Sequence, residues 1–407
     1  MPKILITGNG FDLHHGLPTT YSDFIKITEH ITTNIYDYQF DSIYKKASNY
    51  KAIAENFNKF EFDINMLSDI RILAEKNLLF NFFNSEYKLE TWIDFEIKIE
   101  LIINSLLEGA NLIREKLFNK NYGVQTELRT ADYRTFDNNI FIIDILTFFN
   151  IIIEYPSDRE LFIINEDFLI KRKDYLVDID EDKISSQIYS QLIEFKKIFN
   201  LYILTFVNPL LDNIKKNPDT SSLFQGINFH FTFNYTPTFE KLLYKSGSST
   251  NFLHGKCDKD KENIIFGIND ISSIQNNGIN YLKFTKYYQK LNGNTDYSFL
   301  SNIDMKSYDK YIFYLWGHSL DKSDASYINE IFEVITVSKS DLKKIIVIYH
   351  NEHSRSKMLL NLLAIRGRED IESKMRAKEL IFAKLDSPEL KNTFTISTNP
   401  ISVTNLL

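Results

Sequence analysis

Apolar and polar residues follow two different rhythms along the 407-residue chain. "PKILITG" (2–8) is a short unbroken apolar run closed by a glycine, which predicts a buried strand. "TYSD" (20–23) then carries the capping-box pattern of Thr20 and Asp23, so a helix is predicted from about Tyr21. Between residues 31 and 225 the apolar positions recur at helical spacing, and the only glycines are Gly109 and Gly123. "DIRILAEKNLLFNFFN" (69–84), "WIDFEIKIELIINSLLEGANLIREKLF" (92–118) and "SQIYSQLIEFKKIFNLYILTFVNPLLDNIKK" (186–216) all predict helices. So does the apolar run 138–156, whose Asp144 and Asn150 mark it as buried or amphipathic. The polar stretches "ELRTADYRTFD" (127–137) and "YPSDRELFIINEDFLIKRKDYLVDIDEDK" (155–183) are expected to be loops that could lie over a cleft as a lid.

After Gly226 the strand pattern returns in "INFHFTFNY" (227–235), "NFLHG" (251–255), "NIIFGI" (263–268), "YIFYLWG" (311–317) and "KIIVIYH" (344–350). Helices are expected at 238–245, 326–335 and 354–366. Strands alternating with helices predict a parallel sheet covered on both faces. The expected fold is therefore α/β: a Rossmann-like domain made of residues 1–30 and 226–407, interrupted by a helical insertion at 31–225.

Composition narrows the classes. Hydrophobic residues make up 43% and charged residues 25%, as in a soluble globular protein. The net charge of -7 argues against a general nucleic-acid coat. Cys257 is the single cysteine, which removes intrachain disulfides and cysteine-rich zinc sites and fits the cytoplasm. The N-terminal apolar run is too short for a signal peptide or a membrane span, and no membrane association is expected.

The candidate chemistry sits where predicted strands end, because open parallel sheets bind ligands outside their carboxyl ends. Gly8-Asn9-Gly10 could let backbone N–H groups approach a ligand. The dinucleotide fingerprint asks for a third glycine at position 13, which is Leu13 here. The other reading is a tight strand exit in which Asp12 caps amides. Asn234 either ties its own turn or positions a ribose or a water. His254 is a candidate general base, with Gly255 leaving room for a ligand. Gly317, His318 and Ser319 could bound an adenosine or a phosphate, or simply precede a helix capped by Ser323 or Asp324. Asp94, Glu96 and Lys98 are spaced like the metal-binding cluster of nucleases. That cluster needs a strand, and here the three fall on a predicted helix. Trp92, Phe95 and Ile99 share one face of that helix, with Glu96 beside it.

"GNGFDLHHGLPTTYSDF", "WIDFE", "TFNYT", "LHG" and "GHSLDKSD", in this order, resemble the bacteriophage abortive-infection AbiH family across nearly the whole chain. That family is in turn similar to the sirtuin-like NAD-binding fold. Gly8, Gly10, Gly16, Leu17 and Pro18 match the sirtuin glycine loop in order. Thr232 and Asn234 match the strand end, and His254 before Gly255 matches the catalytic histidine. The sirtuin aspartate after the strand asparagine would fall on Thr236, and the zinc-ribbon cysteines are missing. The resemblance thus implies hydrolysis of the nicotinamide–ribose bond of NAD rather than deacylation, with no metal. Asn234 and His254 would be catalytic. Gly8, Asn9, Gly10, Phe11, Asp12, Glu96, Thr232, Gly255, Gly317, His318 and Ser319 would bind the dinucleotide, with Asp12 facing ribose hydroxyls. Regulation by a phage-derived activator, and room for a homo-oligomer, belong to the same implication. The alternatives are a non-catalytic nucleotide-binding module and a nuclease.

Overall fold

The computed structural model describes residues 1–86, 92–117, 127–129, 139–172, 175–214, 226–242, 250–260, 263–268, 279–293, 295, 298–303, 310–337 and 342–395. The first apolar run forms β1 (Lys3–Thr7), which is buried along its whole length. The chain then enters a helix-rich segment whose described residues also carry short strands: β2 (Glu127–Arg129), β3 (Ile152–Tyr155), β4 (Asp158–Ile164), β5 (Leu169–Arg172) and β6 (Tyr175–Ile179). It returns to the sheet of β1 with β7 (Phe229–Thr232), β8 (Thr250–Phe252), β9 (Lys310–Trp316), β10 (Leu342–Tyr349) and β11 (Leu380–Lys384).

The large sheet has six strands in the order β11-β10-β9-β1-β7-β8, and every neighbouring pair is parallel. From the β8 edge, and counting only these strands along the chain, the order is 3-2-1-4-5-6, that of the doubly wound dinucleotide-binding sheet. The fold is α/β and Rossmann-like. Alternate residues serve opposite faces, as the period of a strand requires. Ile4, Ile6, Phe313, Leu315, Ile345 and Val347 pack into one hydrophobic layer. Leu5, Ile312, Tyr314, Trp316, Ile346 and Ile348 pack into the other. On the second face His230 stacks on Phe239 at 3.8 Å and lies 3.0 Å from the Thr7 hydroxyl of β1 and 3.0 Å from the Thr250 hydroxyl of β8.

A third core lies among the helices between β1 and β7, and aromatic rings fill much of it. Phe95 stacks on Phe195 at 5.0 Å, and Trp92 meets Phe199 edge-on at 4.8 Å. Two hydrogen bonds tie this core to the loop after β1. Trp92 Nε1 donates to the Thr19 carbonyl at 3.0 Å, and the Tyr202 hydroxyl donates to the Pro18 carbonyl at 2.6 Å. The capping box at Thr20 and Asp23 is formed, and the helix runs Tyr21–Thr33.

Three expectations are corrected. The polar stretch 155–183 is not a loop: it supplies β4, which pairs antiparallel with β3 and β2, and the antiparallel pair β5–β6. The apolar run 138–156 is not one helix. The helix Asn139–Phe148 is followed by Asn150 at φ 57°, a left-handed conformation asparagine tolerates, and the chain leaves as β3. Finally, "NIIFGI" forms no strand beyond one bridge from Ile268 to Thr285. The Gln289 side chain takes the place of a neighbouring strand, accepting from the Phe266 N–H at 3.2 Å and donating to its carbonyl at 2.6 Å.

Candidate functional site

The carboxyl ends of the parallel strands open onto a cavity of about 720 Å³. β1 contributes Gly8, Asn9, Gly10 and Asp12; β7 contributes Phe233 to Thr236; β8 contributes His254; and β9 contributes Gly317, His318 and Ser319. β10 adds Tyr349, His350 and Asn351 on the far side. The order of the sheet reverses between β1 and β9, where doubly wound folds place their ligands. The roof comes from the helical segment: Trp92 and Glu96 from the helix Trp92–Leu117, with Phe199 and Ile203. No described residue of 155–183 lines the cavity, so the lid expected there is replaced by this helical roof; 130–137 lies outside the described residues.

The glycines serve backbone packing. The Gly8 N–H donates to the Trp316 carbonyl at 3.0 Å and the Gly10 N–H to the Gly317 carbonyl at 2.8 Å. A Cβ on Gly10 would lie 2.8 Å from Gly317 Cα, and one on Gly317 would lie 2.2 Å from the Phe11 nitrogen. The N–H groups of Gly8 and Gly10 are therefore occupied by the neighbouring turn. The close approach that requires glycine is between the β1 and β9 turns. Phe11, Thr232 and Gly255 do not line the cavity. Phe11 is buried in the sheet core, 5.0 Å from Trp316. The Thr232 hydroxyl accepts from the Thr7 hydroxyl and from the Asn234 N–H. Gly255, at φ 84°, abuts the backbone of Asn263.

Asp12 is 1% exposed, and its Oδ2 accepts from the Thr236 hydroxyl at 2.5 Å while Oδ1 has no partner. Burial pushes its pKa up to about 7, although the Thr236 hydroxyl and the nearby polar side chains of Thr238 and Asn234 pull the other way. A buried carboxylate without a cation neutralises itself in this manner. Thr236 thus stands where the resemblance calls for an acid, and it holds the acid that β1 supplies.

The second cluster is built on charge. Asp324 lies 3.2 Å from each of three groups: His254 Nε2 and Lys286 Nζ at Oδ1, and His318 Nε2 at Oδ2. Lys286 Nζ also meets Glu96 Oε1 at 2.8 Å. Leaving an ion of this kind unpaired would cost about 3–5 kcal/mol, so the members depend on one another. Burial opposes the charge of Asp324, but Lys286 and the two histidines overrule it and hold the carboxyl well below its usual range. Burial likewise opposes the charge of Lys286, and Asp324 and Glu96 reverse that effect and raise its pKa. Burial raises the Glu96 pKa against the pull of Lys286. Burial lowers His254 to about 4, so its ring is neutral at pH 7. The ring sits edge-on to Phe233 at 5.1 Å, and Phe233 also packs on His318 at 4.1 Å.

The turn cap expected at Ser323 or Asp324 falls on Asp321, whose Oδ1 accepts from the Ser323 N–H at 3.0 Å, and this frees Asp324 for the cluster. Lys286 opens a seven-residue helix behind the Thr285 cap, and no motif marks it. Of the nuclease-like trio, Glu96 alone lines the cavity. Among the described residues no helix is long and apolar enough to cross a membrane.

A family model described as bacteriophage abortive infection AbiH matches residues 4–347. The match runs from β1 into β10 and takes in the strand ends from β1 to β9 together with the helical roof. No curated protein and no solved structure matches the chain.

Proposed function

The chain belongs to the bacteriophage abortive infection AbiH family, and from that premise we propose that it acts in phage defence by hydrolysing the nicotinamide–ribose bond of NAD. The observation that carries this reading is the convergence of Asn234 and His254, at the ends of adjacent strands, on one cavity beside the buried carboxyl of Asp12. A cavity of about 720 Å³ is of the size that holds a ligand as large as a dinucleotide.

The chemistry asks for little. Nicotinamide leaves as a neutral molecule, so its bond to C1′ is already activated. Asn234 positions a water, and the water oxygen bonds to C1′ as the C1′–N bond breaks and its electron pair stays on nicotinamide. His254, neutral at pH 7, takes the proton of the water. Asp12, which lines the cavity, faces the ribose hydroxyls. A positioned base supplies about 10²–10⁴-fold, and orientation in the cavity supplies the remainder.

The test is nicotinamide release from NAD by pure protein, with and without EDTA, for wild type, Asn234→Ala and His254→Ala. Release by wild type that is indifferent to EDTA and falls about 10²-fold or more in each variant supports hydrolysis. NAD bound but never cleaved would make the protein a nucleotide-binding signalling module.

A further inference from the structure

The cavity leaves open which nitrogen of His254 is the base and what decides it. His254 Nε2 is fully buried and lies 3.2 Å from Asp324 Oδ1, although the two are not aligned as a hydrogen bond. Nε2 is the ring nitrogen that faces Asp324, and the ring lines the cavity. Catalytic hydrogen bonds are often loose without substrate and tighten when it binds. On the far side of the same carboxylate, the Leu320 N–H donates to His318 Nδ1 at 2.9 Å. His318 Nδ1 is therefore an acceptor, its proton sits on Nε2, and that proton is donated to Asp324 Oδ2 at 3.2 Å. Lys286 pins the other oxygen from the roof side, and it is itself shared with Glu96.

We propose that Asp324 is the positioning residue of His254: its carboxylate, fixed by His318 and Lys286, holds the His254 proton on Nε2 and leaves Nδ1 as the basic nitrogen turned to the cavity. This assignment builds on the NAD-hydrolase reading. When Nδ1 accepts the proton of the attacking water, the ring becomes an imidazolium, and the Asp324 charge stabilises it from behind. Asp324 touches no substrate; it acts through the tautomer and through the charge it sets against the ring.

The tautomer can be measured directly. Long-range ¹H–¹⁵N correlation spectra of the full chain with ¹⁵N-labelled histidine, the His254 signals being assigned by their loss in His254→Ala, report which nitrogen carries the proton at pH 7. The expected wild-type result is an Nε2–H His254. Asp324→Asn offers an amide instead of two acceptor oxygens, and the His254 signal should move toward the Nδ1–H form. Its kcat for NAD should fall about 10²–10⁴-fold with KM little changed. An Nδ1–H His254 in the wild type overturns the proposal without any variant. A folded Asp324→Asn protein with the tautomer unchanged overturns it as well. An Nε2–H His254 in a protein that never cleaves NAD supports the dyad and counts against the NAD reading alone.

Discussion

Asp12 keeps its proton close to neutral pH because its carboxyl is buried with no cation beside it. A folded-state pKa raised to about 7 means that the folded chain holds a proton the unfolded chain has released. The stability tied to that proton is complete below the ordinary aspartate pKa and is lost as pH rises through 7. Asn at position 12 mimics the protonated form and still accepts from Thr236. Asp12→Asn should therefore gain stability relative to wild type as pH rises from 5 to 8, by about 3 kcal/mol, at about 1.4 kcal/mol per unit up to pH 7 and with no further gain above it. Denaturant unfolding at the two pH values checks this, and a wild-type advantage that grows with pH would contradict it. Single residues were legible where a motif carried them: Asp12, Asn234, His254 and Glu96 all reach the cavity. Lys286 and the central role of Asp324 were not legible, because each is defined by partners dozens of residues away that only the fold brings within 3.2 Å.

Elements were legible in proportion to how far local sequence decides them. Strand ends closed by Gly8, Gly255 and Gly317 could be read as the ligand side of a parallel sheet. What Gly8 and Gly317 do there could not, since their close contact joins the turns after β1 and β9, some 300 residues apart in the chain. Strands β4 to β6 were missed because their apolar runs are short and set among charged residues, and because they pair outside the main sheet. The interlocked turns make a sharp prediction. Gly317→Ala puts a side chain at φ 72° and a Cβ 2.2 Å from the Phe11 nitrogen. Backbone strain of about 1–3 kcal/mol adds to overlap of similar size. The expected outcome is a clear drop in melting temperature or loss of soluble protein. An unchanged melting temperature would mean that the two turns do not pack this tightly in solution. Gly10→Val should destabilise the fold by the same contact, so weakened ligand binding in that variant follows from the turn moving.

At the scale of the molecule, the parallel Rossmann-like sheet was legible in the alternating strands and helices, and membership of the abortive-infection family fits a chain whose matched residues span the cavity and its roof. The connection between roof and base did not follow from the sequence. Glu96, on a helix of the roof, grips Lys286, which grips the Asp324 that faces His254. A shift of that helix would reach His254 through two ion pairs, and on the proposed reading this is the route by which activity would be controlled. An NAD hydrolase left unrestrained would exhaust its own host, so expression in uninfected cells should be tolerated and turnover should rise on infection. Each tenfold rise corresponds to about 1.4 kcal/mol off the barrier. The most direct measurement follows cellular NAD and phage yield after infection of cells carrying wild type or His254→Ala. NAD should collapse and phage yield should fall with the wild type, while His254→Ala cells keep their NAD and lose protection. Protection that persists in His254→Ala, or wild-type cells that resist phage with NAD unchanged, would contradict hydrolysis as the mechanism.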